Sequence, residues 1–136
     1  MTLDELEKKL QEDLKIDEDN ISQVALHLGN TYHRYLRMLT NEKFEQNKLE
    51  QERIDLYKHL YHDLQKKGFD GYSVGKQKAE IEVYIGMNEK YREISKKMAK
   101  NEIFIKHIEM ALENINKVSF NIKNYIECEK LKRGII

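Results

Sequence analysis

Lysines and aromatic rings are interleaved through the middle of this chain. Tyr57, Tyr61, Phe69, Tyr72, Tyr84 and Tyr91 are half of its twelve aromatic residues, and Lys58, Lys66, Lys67, Lys76 and Lys78 are set among them. Cations can track a phosphate backbone while flat rings stack on bases, so this mixture meets the needs of a single-stranded nucleic acid without any reading of base sequence. At its centre, KKGFDGYSVGKQK (66–78) holds three of the six glycines, and glycine lets backbone and strand approach closely. Tyr57, Tyr61, Tyr84 and Tyr91 also lie at helical spacing, so several of them are expected to face a core. The glycine-rich stretch is a turn in either case.

Other chemistries find no support. There is no glycine–lysine phosphate loop, no paired-cysteine metal motif and no nucleophile motif. Gly68, Gly71 and Gly75 are spaced unlike a dinucleotide fingerprint, and no strand precedes them. His59 and His62 lie three apart on one helix face with Asp63 adjacent, but a third ligand is undefined. No enzyme, metal or cofactor is expected. Cys128 is the only cysteine, so no intrachain disulfide can form, which fits a reducing cytoplasm.

Charged residues make up 35% of the sequence and proline and tryptophan are absent, a composition suited to long helices with wet outer faces. Formal charge sums to zero but is unevenly placed: residues 1–20 carry −5 and residues 56–100 carry +4. Different partners are therefore expected at the two places. The start, MTLDELEKKL, is charged from residue 4, unlike a secretory signal. No apolar run approaches the roughly 20 residues that span a bilayer.

Thr2 and Glu5 have capping-box spacing, and Leu3, Leu6, Leu10 and Leu14 mark one face of a first helix. IDEDN (16–20) offers Asp and Asn as the next cap. Ile21, Val24, Ala25, Leu28, Tyr32, Tyr35 and Leu39 predict a second helix over about 20–39. The polar stretch 40–55, apolar only at Phe44, Leu49 and Ile54, is either a solvent-bridging extension or follows a break near Thr40–Asn41. Leu56, Tyr57, Leu60, Tyr61 and Leu64 restore the stripe.

After the turn at 68–75, a further helical region is predicted from Lys76 to about Lys132. Ile94, Met98, Asn101, Ile105, Ile108, Leu112, Ile115, Ser119, Ile122 and Ile126 follow its heptad a and d positions. Phe104, Ala111, Val118 and Tyr125 widen that face, which favours larger bundles or rings over a two-stranded coil. The expected fold is all-α: one helical domain over 1–136, an extended hairpin or bundle with arms 1–67 and 76–136. It assembles into a ring-like homo-oligomer through the C-terminal seam. The alternative is a helix buried within its own three-helix bundle.

The opening MTLDELEKKLQEDLKID, the turn followed by YSVGKQKAEI, and the ending NINKVSFNIKNYIECEKLKRG together resemble the UvsY family of recombination mediators from T-even-like bacteriophages. The resemblance covers nearly the whole length. It implies a non-enzymatic DNA-binding protein that loads a RecA-like phage recombinase onto single-stranded DNA coated by the phage single-stranded DNA-binding protein. Recombination, recombination-dependent replication and repair follow from that activity, in the cytoplasm of the infected bacterial host. It also implies hexameric or heptameric rings built through C-terminal helices, here through Ile94, Met98, Ile105, Ile108, Leu112, Ile115, Ile122 and Ile126. The family's Lys-Ala-Arg-Leu DNA-contact motif falls on Lys58, His59, Leu60 and Tyr61, so only the lysine carries over. His59, Lys66 or Lys67 is then expected to supply the second cation, with Tyr61, Lys76 and Lys78 completing the DNA-binding set. Without nucleic-acid binding, the same seam would make a non-catalytic oligomeric scaffold.

Overall fold

The computed structural model describes residues 1–17, 19–67 and 78–134, with Lys67 described by its backbone alone. It is all-α: α1 (Leu3–Asp13), α2 (Ile21–Lys67), α3 (Lys78–Met87) and α4 (Glu89–Lys132). The capping box forms as its spacing predicts. The Thr2 hydroxyl accepts from the Glu5 amide and the Glu5 carboxylate from the Thr2 amide, each at 3.2 Å. The next polar cluster behaves differently from the expected cap. Asn20 turns its side chain back into the connection, where its carbonyl accepts from the Asp17 amide at 2.7 Å and its Nδ2 donates to the Lys15 carbonyl at 2.9 Å. Asp17 reciprocates by accepting from the amides of Asp19 and Asn20, both at 2.9 Å.

α2 runs unbroken through Thr40–Asn41. The Thr40 hydroxyl donates to the Leu36 carbonyl at 3.0 Å, while the backbone stays helical. No glycine or proline interrupts residues 30–67, and the polar stretch is rich in Glu, Gln, Lys and Leu, all good helix formers. The break falls instead at Asn88, inside the region expected to be one helix. The Asn88 amide closes on the Ile85 carbonyl at 3.0 Å. Its side-chain oxygen then accepts from the Tyr91 amide at 3.0 Å, the N-cap that starts α4.

The chain divides into two compact units, residues 1–41 with 104–136, and residues 42–103. In the first, Leu6 of α1, Leu28, Tyr35 and Leu39 of α2, and Ile108, Ala111, Leu112 and Ile115 of α4 form one core. Each fully buried Ile or Leu here contributes roughly 1.5–3 kcal/mol. The Tyr35 hydroxyl donates to Asp13 at 3.0 Å, and Arg34 reaches the same carboxylate oxygen at 3.3 Å. Burial and that hydrogen bond push the Tyr35 hydroxyl well above its ordinary pKa.

The second unit has two smaller clusters. Leu49, Ile94 and Met98 form one; Leu64, Ile81 and Ile85 form the other, ringed by Tyr57, Leu60, Tyr61, Tyr84 and Tyr91. Amides tie α2 to α4 beside the first. Asn101 Nδ2 donates to the Glu42 carbonyl and to Gln46 Oε1, both at 3.0 Å, and Gln46 Nε2 donates to the Met98 carbonyl at 3.3 Å. Asn101 therefore sets helix register within one chain.

Most of the predicted seam is covered by the same chain. Ile94 and Met98 sit in the second unit, Ile108, Leu112 and Ile115 in the first unit's core, and Ile122 is also buried. Ile105 is half-buried against the first unit's core, while Ile126 is 44% exposed. A heptad stripe states what must be buried and leaves open which chain buries it.

Candidate nucleic-acid interface

In the second unit, Leu60 and Leu64 of α2 turn toward Ile81 and Ile85 of α3. That places the neighbouring face of α2 beside the start of α3. Tyr57, Lys58, Tyr61, His62 and Gln65 of α2, with Lys78 at the first position of α3, line a groove of about 320 Å³. Residues 57, 61 and 65 repeat every four positions, as do 58 and 62, so the two tyrosines and Gln65 form one row and Lys58 and His62 the next along the helix. Tyr57 and Tyr61 are stacked, with ring centroids 6.0 Å apart and an interplanar angle of 29°. Lys58 and Lys78 are exposed. The groove thus offers aromatic faces with cations at its margin, the combination that holds a base and its phosphates.

One carboxylate enters this arrangement from α3. The Tyr57 hydroxyl donates to Glu82 Oε1 at 3.1 Å, and Lys78 Nζ lies 3.9 Å from the same oxygen. Burial and the bond to Glu82 raise the Tyr57 pKa.

Of the seven residues expected to contact DNA, the groove brings together Lys58, Tyr61 and Lys78. His59 pairs with Asp63 at 3.3 Å and does not line it. Lys66 is exposed beyond the lining. The Lys67 side chain and Lys76 lie outside the described residues. Tyr57, one of the interleaved rings, also lines the groove, as do His62 and Gln65, which the sequence did not single out for DNA contact. Their four-residue spacing from Tyr61 and Lys58 was the available signal. Leu60 packs against the aliphatic cluster. Among the described residues, no group of three or more His, Cys, Asp and Glu could hold a metal.

A second hollow, about 260 Å³, lies in the first unit between Ile16, Asp17, Ile21, Asn121, Ile122 and Tyr125. Among the described residues its lining holds no lysine or arginine.

No curated protein is similar to the chain by sequence. Crystal structures of the bacteriophage T4 recombination mediator protein UvsY share its fold. The lattice type II structure has a TM-score of 0.83 at 19% identity, covering 98% of each chain. The lattice type IV structure has 0.82 at 17% identity, covering 97% of this chain and 99% of that one. In lattice type I the values are 0.80 and 18%, with 94% and 98% covered. The sequence model of the family described as "Recombination, repair and ssDNA binding protein UvsY" matches residues 9–135, and the chain belongs to that family.

Proposed function

We propose that the chain is a recombination mediator, holding single-stranded DNA so that a RecA-like recombinase can replace the phage single-stranded DNA-binding protein on it. The groove at the α2–α3 corner carries this reading, because it sets the stacked Tyr57–Tyr61 pair beside Lys58 and Lys78. Lys78 takes the place of the arginine lost at Leu60: it is the groove's second lysine, whereas Leu60 is committed to packing.

Self-assembly into a hexameric or heptameric ring repeats the groove, and several weak contacts to one strand multiply into firm binding. Phe120, Tyr125, Ile126 and Leu131 support assembly through the C-terminal part of α4, since all are more than 40% exposed there. The acidic stretch 1–20 is the face offered to a basic partner protein. No helix among the described residues is long and apolar enough to cross a membrane, in keeping with work in the host cytoplasm.

The test is fluorescence anisotropy of a labelled oligo-dT strand across a salt series, with a duplex control and the oligomer's mass fixed by light scattering. Binding is expected to favour the single strand and to weaken steeply with salt. Lys58→Ala with Lys78→Ala should lower affinity by about tenfold and flatten the salt slope by about 0.7 for each lost phosphate contact. Unchanged affinity in that variant would remove the groove from the DNA path. Absence of binding by the intact wild-type oligomer would leave a helical scaffold.

A further inference from the structure

A hydroxyl donor and a cation that line the groove already face an anion, and the anion belongs to the protein. The Tyr57 hydroxyl and the Lys78 ammonium converge on a single oxygen of Glu82, at 3.1 and 3.9 Å. A hydroxyl and an ammonium meeting on one charged oxygen is also how a phosphodiester oxygen is held. Glu82 lies one helical turn from Lys78 on α3, so the contact forms within the element that supplies the cation. Its side chain is 47% exposed and that of Lys78 is 74% exposed. The pair is thus weak and open to exchange.

Resting on the single-strand reading above, we infer that Glu82 is a built-in competitor for the strand's phosphates. Its carboxylate occupies the position of one backbone phosphate oxygen in the empty groove and swings away when a strand enters. Two consequences follow from the charge. Lys78 is partly screened by Glu82 until a strand arrives, so a free anion gains less from Lys78 than it would without Glu82. A strand gains more, because its bases also stack on Tyr57 and Tyr61 while its phosphate takes Lys78. The groove thereby discriminates a nucleic-acid strand from other polyanions without reading base sequence.

Glu82→Gln tests this directly. The amide keeps an acceptor for the Tyr57 hydroxyl and removes the charge that holds Lys78. Oligo-dT affinity by anisotropy at low salt is expected to rise about threefold, in proportion to an exposed ion pair. Glu80→Gln, the same charge change at an exposed position of α3, measures the general electrostatic gain and should give less. In a Lys78→Ala background the Glu82→Gln gain should vanish, since the coupling runs through Lys78.

Glu82→Asp draws the carboxylate back by one methylene. It should give a smaller gain in the same direction, and serves where Glu82→Gln fails to fold by circular dichroism. Equal gains from Glu82→Gln and Glu80→Gln, with wild-type binding still sensitive to Lys58→Ala, overturn the competitor and leave the groove standing. Wild-type binding that is absent, or indifferent to Lys58→Ala, overturns both.

Discussion

Each of the two units holds a tyrosine hydroxyl bonded to a carboxylate, and the two bonds, alike in length, differ in burial. Tyr35 is 1% exposed in a core of eight buried residues, and its 3.0 Å bond to Asp13 anchors the end of α1 to α2. Tyr57 is half-buried at the rim of a cluster with three buried residues, and its 3.1 Å bond to Glu82 faces solvent. The first unit encloses its aromatic ring and uses the hydroxyl to satisfy a buried end. The second leaves its rings at the edge, where they can serve a ligand. The same residue type is structural in one place and available in the other because of how much aliphatic surface surrounds it.

The largest expected effect separates the two interiors. Ile108, fully buried in the first unit, tolerates no charge. Ile108→Asp should cost about 4 kcal/mol or more, combining lost packing with an unpaired buried carboxylate. Thermal denaturation followed by circular dichroism should show it as a large fall in Tm. Ile81→Asp, equally buried but in the smaller cluster, should cost less. Equal losses would abolish the asymmetry between a closed unit and an open one.

A smaller effect sits at the amide tie of the second unit. Asn101→Ala removes the donor to the Glu42 carbonyl and to Gln46, and should cost about 1–2 kcal/mol for acceptors left unpaired in a half-buried site. Chemical denaturation measures it. A neutral substitution would mean that the Leu49, Ile94 and Met98 cluster alone holds α2 to α4, making the second unit more like the first.

Much of this was legible beforehand, and the gaps have physical causes. The Thr2–Glu5 box was readable because it is local, and the stripes at 21–39 and 94–126 because helical periodicity marks burial. The partner of a stripe is not local information: Ile108 and Leu112 needed an apolar face, and Leu6, Leu28 and Leu39 of the same chain supply it. Thr40–Asn41 looked breakable because the sequence there has little to bury, yet nothing in it opposes a helix. Asn88 was missed because a single capping asparagine interrupts an otherwise favourable run. Residue type alone singled out Lys58, Tyr61 and Lys78, which line one groove. Glu82 was not singled out, since its contact with Tyr57 depends on α3 folding back beside α2.

The two tyrosine–carboxylate bonds supply the smallest and sharpest pair of measurements. Tyr35→Phe should cost about 1 kcal/mol, because Asp13 keeps Arg34 as a partner. Tyr57→Phe should change stability by no more than about 0.5 kcal/mol, as expected at an exposed bond. Alkaline pH separates them further. Below pH of about 10, Tyr35 is protonated in both the folded and the unfolded chain. Above it the unfolded chain ionises first, because burial and Asp13 keep the folded hydroxyl protonated. The unfolded state then binds fewer protons, so stability falls as pH rises beyond about 10. Tyr35→Phe should remove most of that fall in alkaline melting curves, and Tyr57→Phe should leave most of it in place. A fall that survives Tyr35→Phe would show that groups other than the first unit's buried hydroxyl carry the alkaline loss of stability.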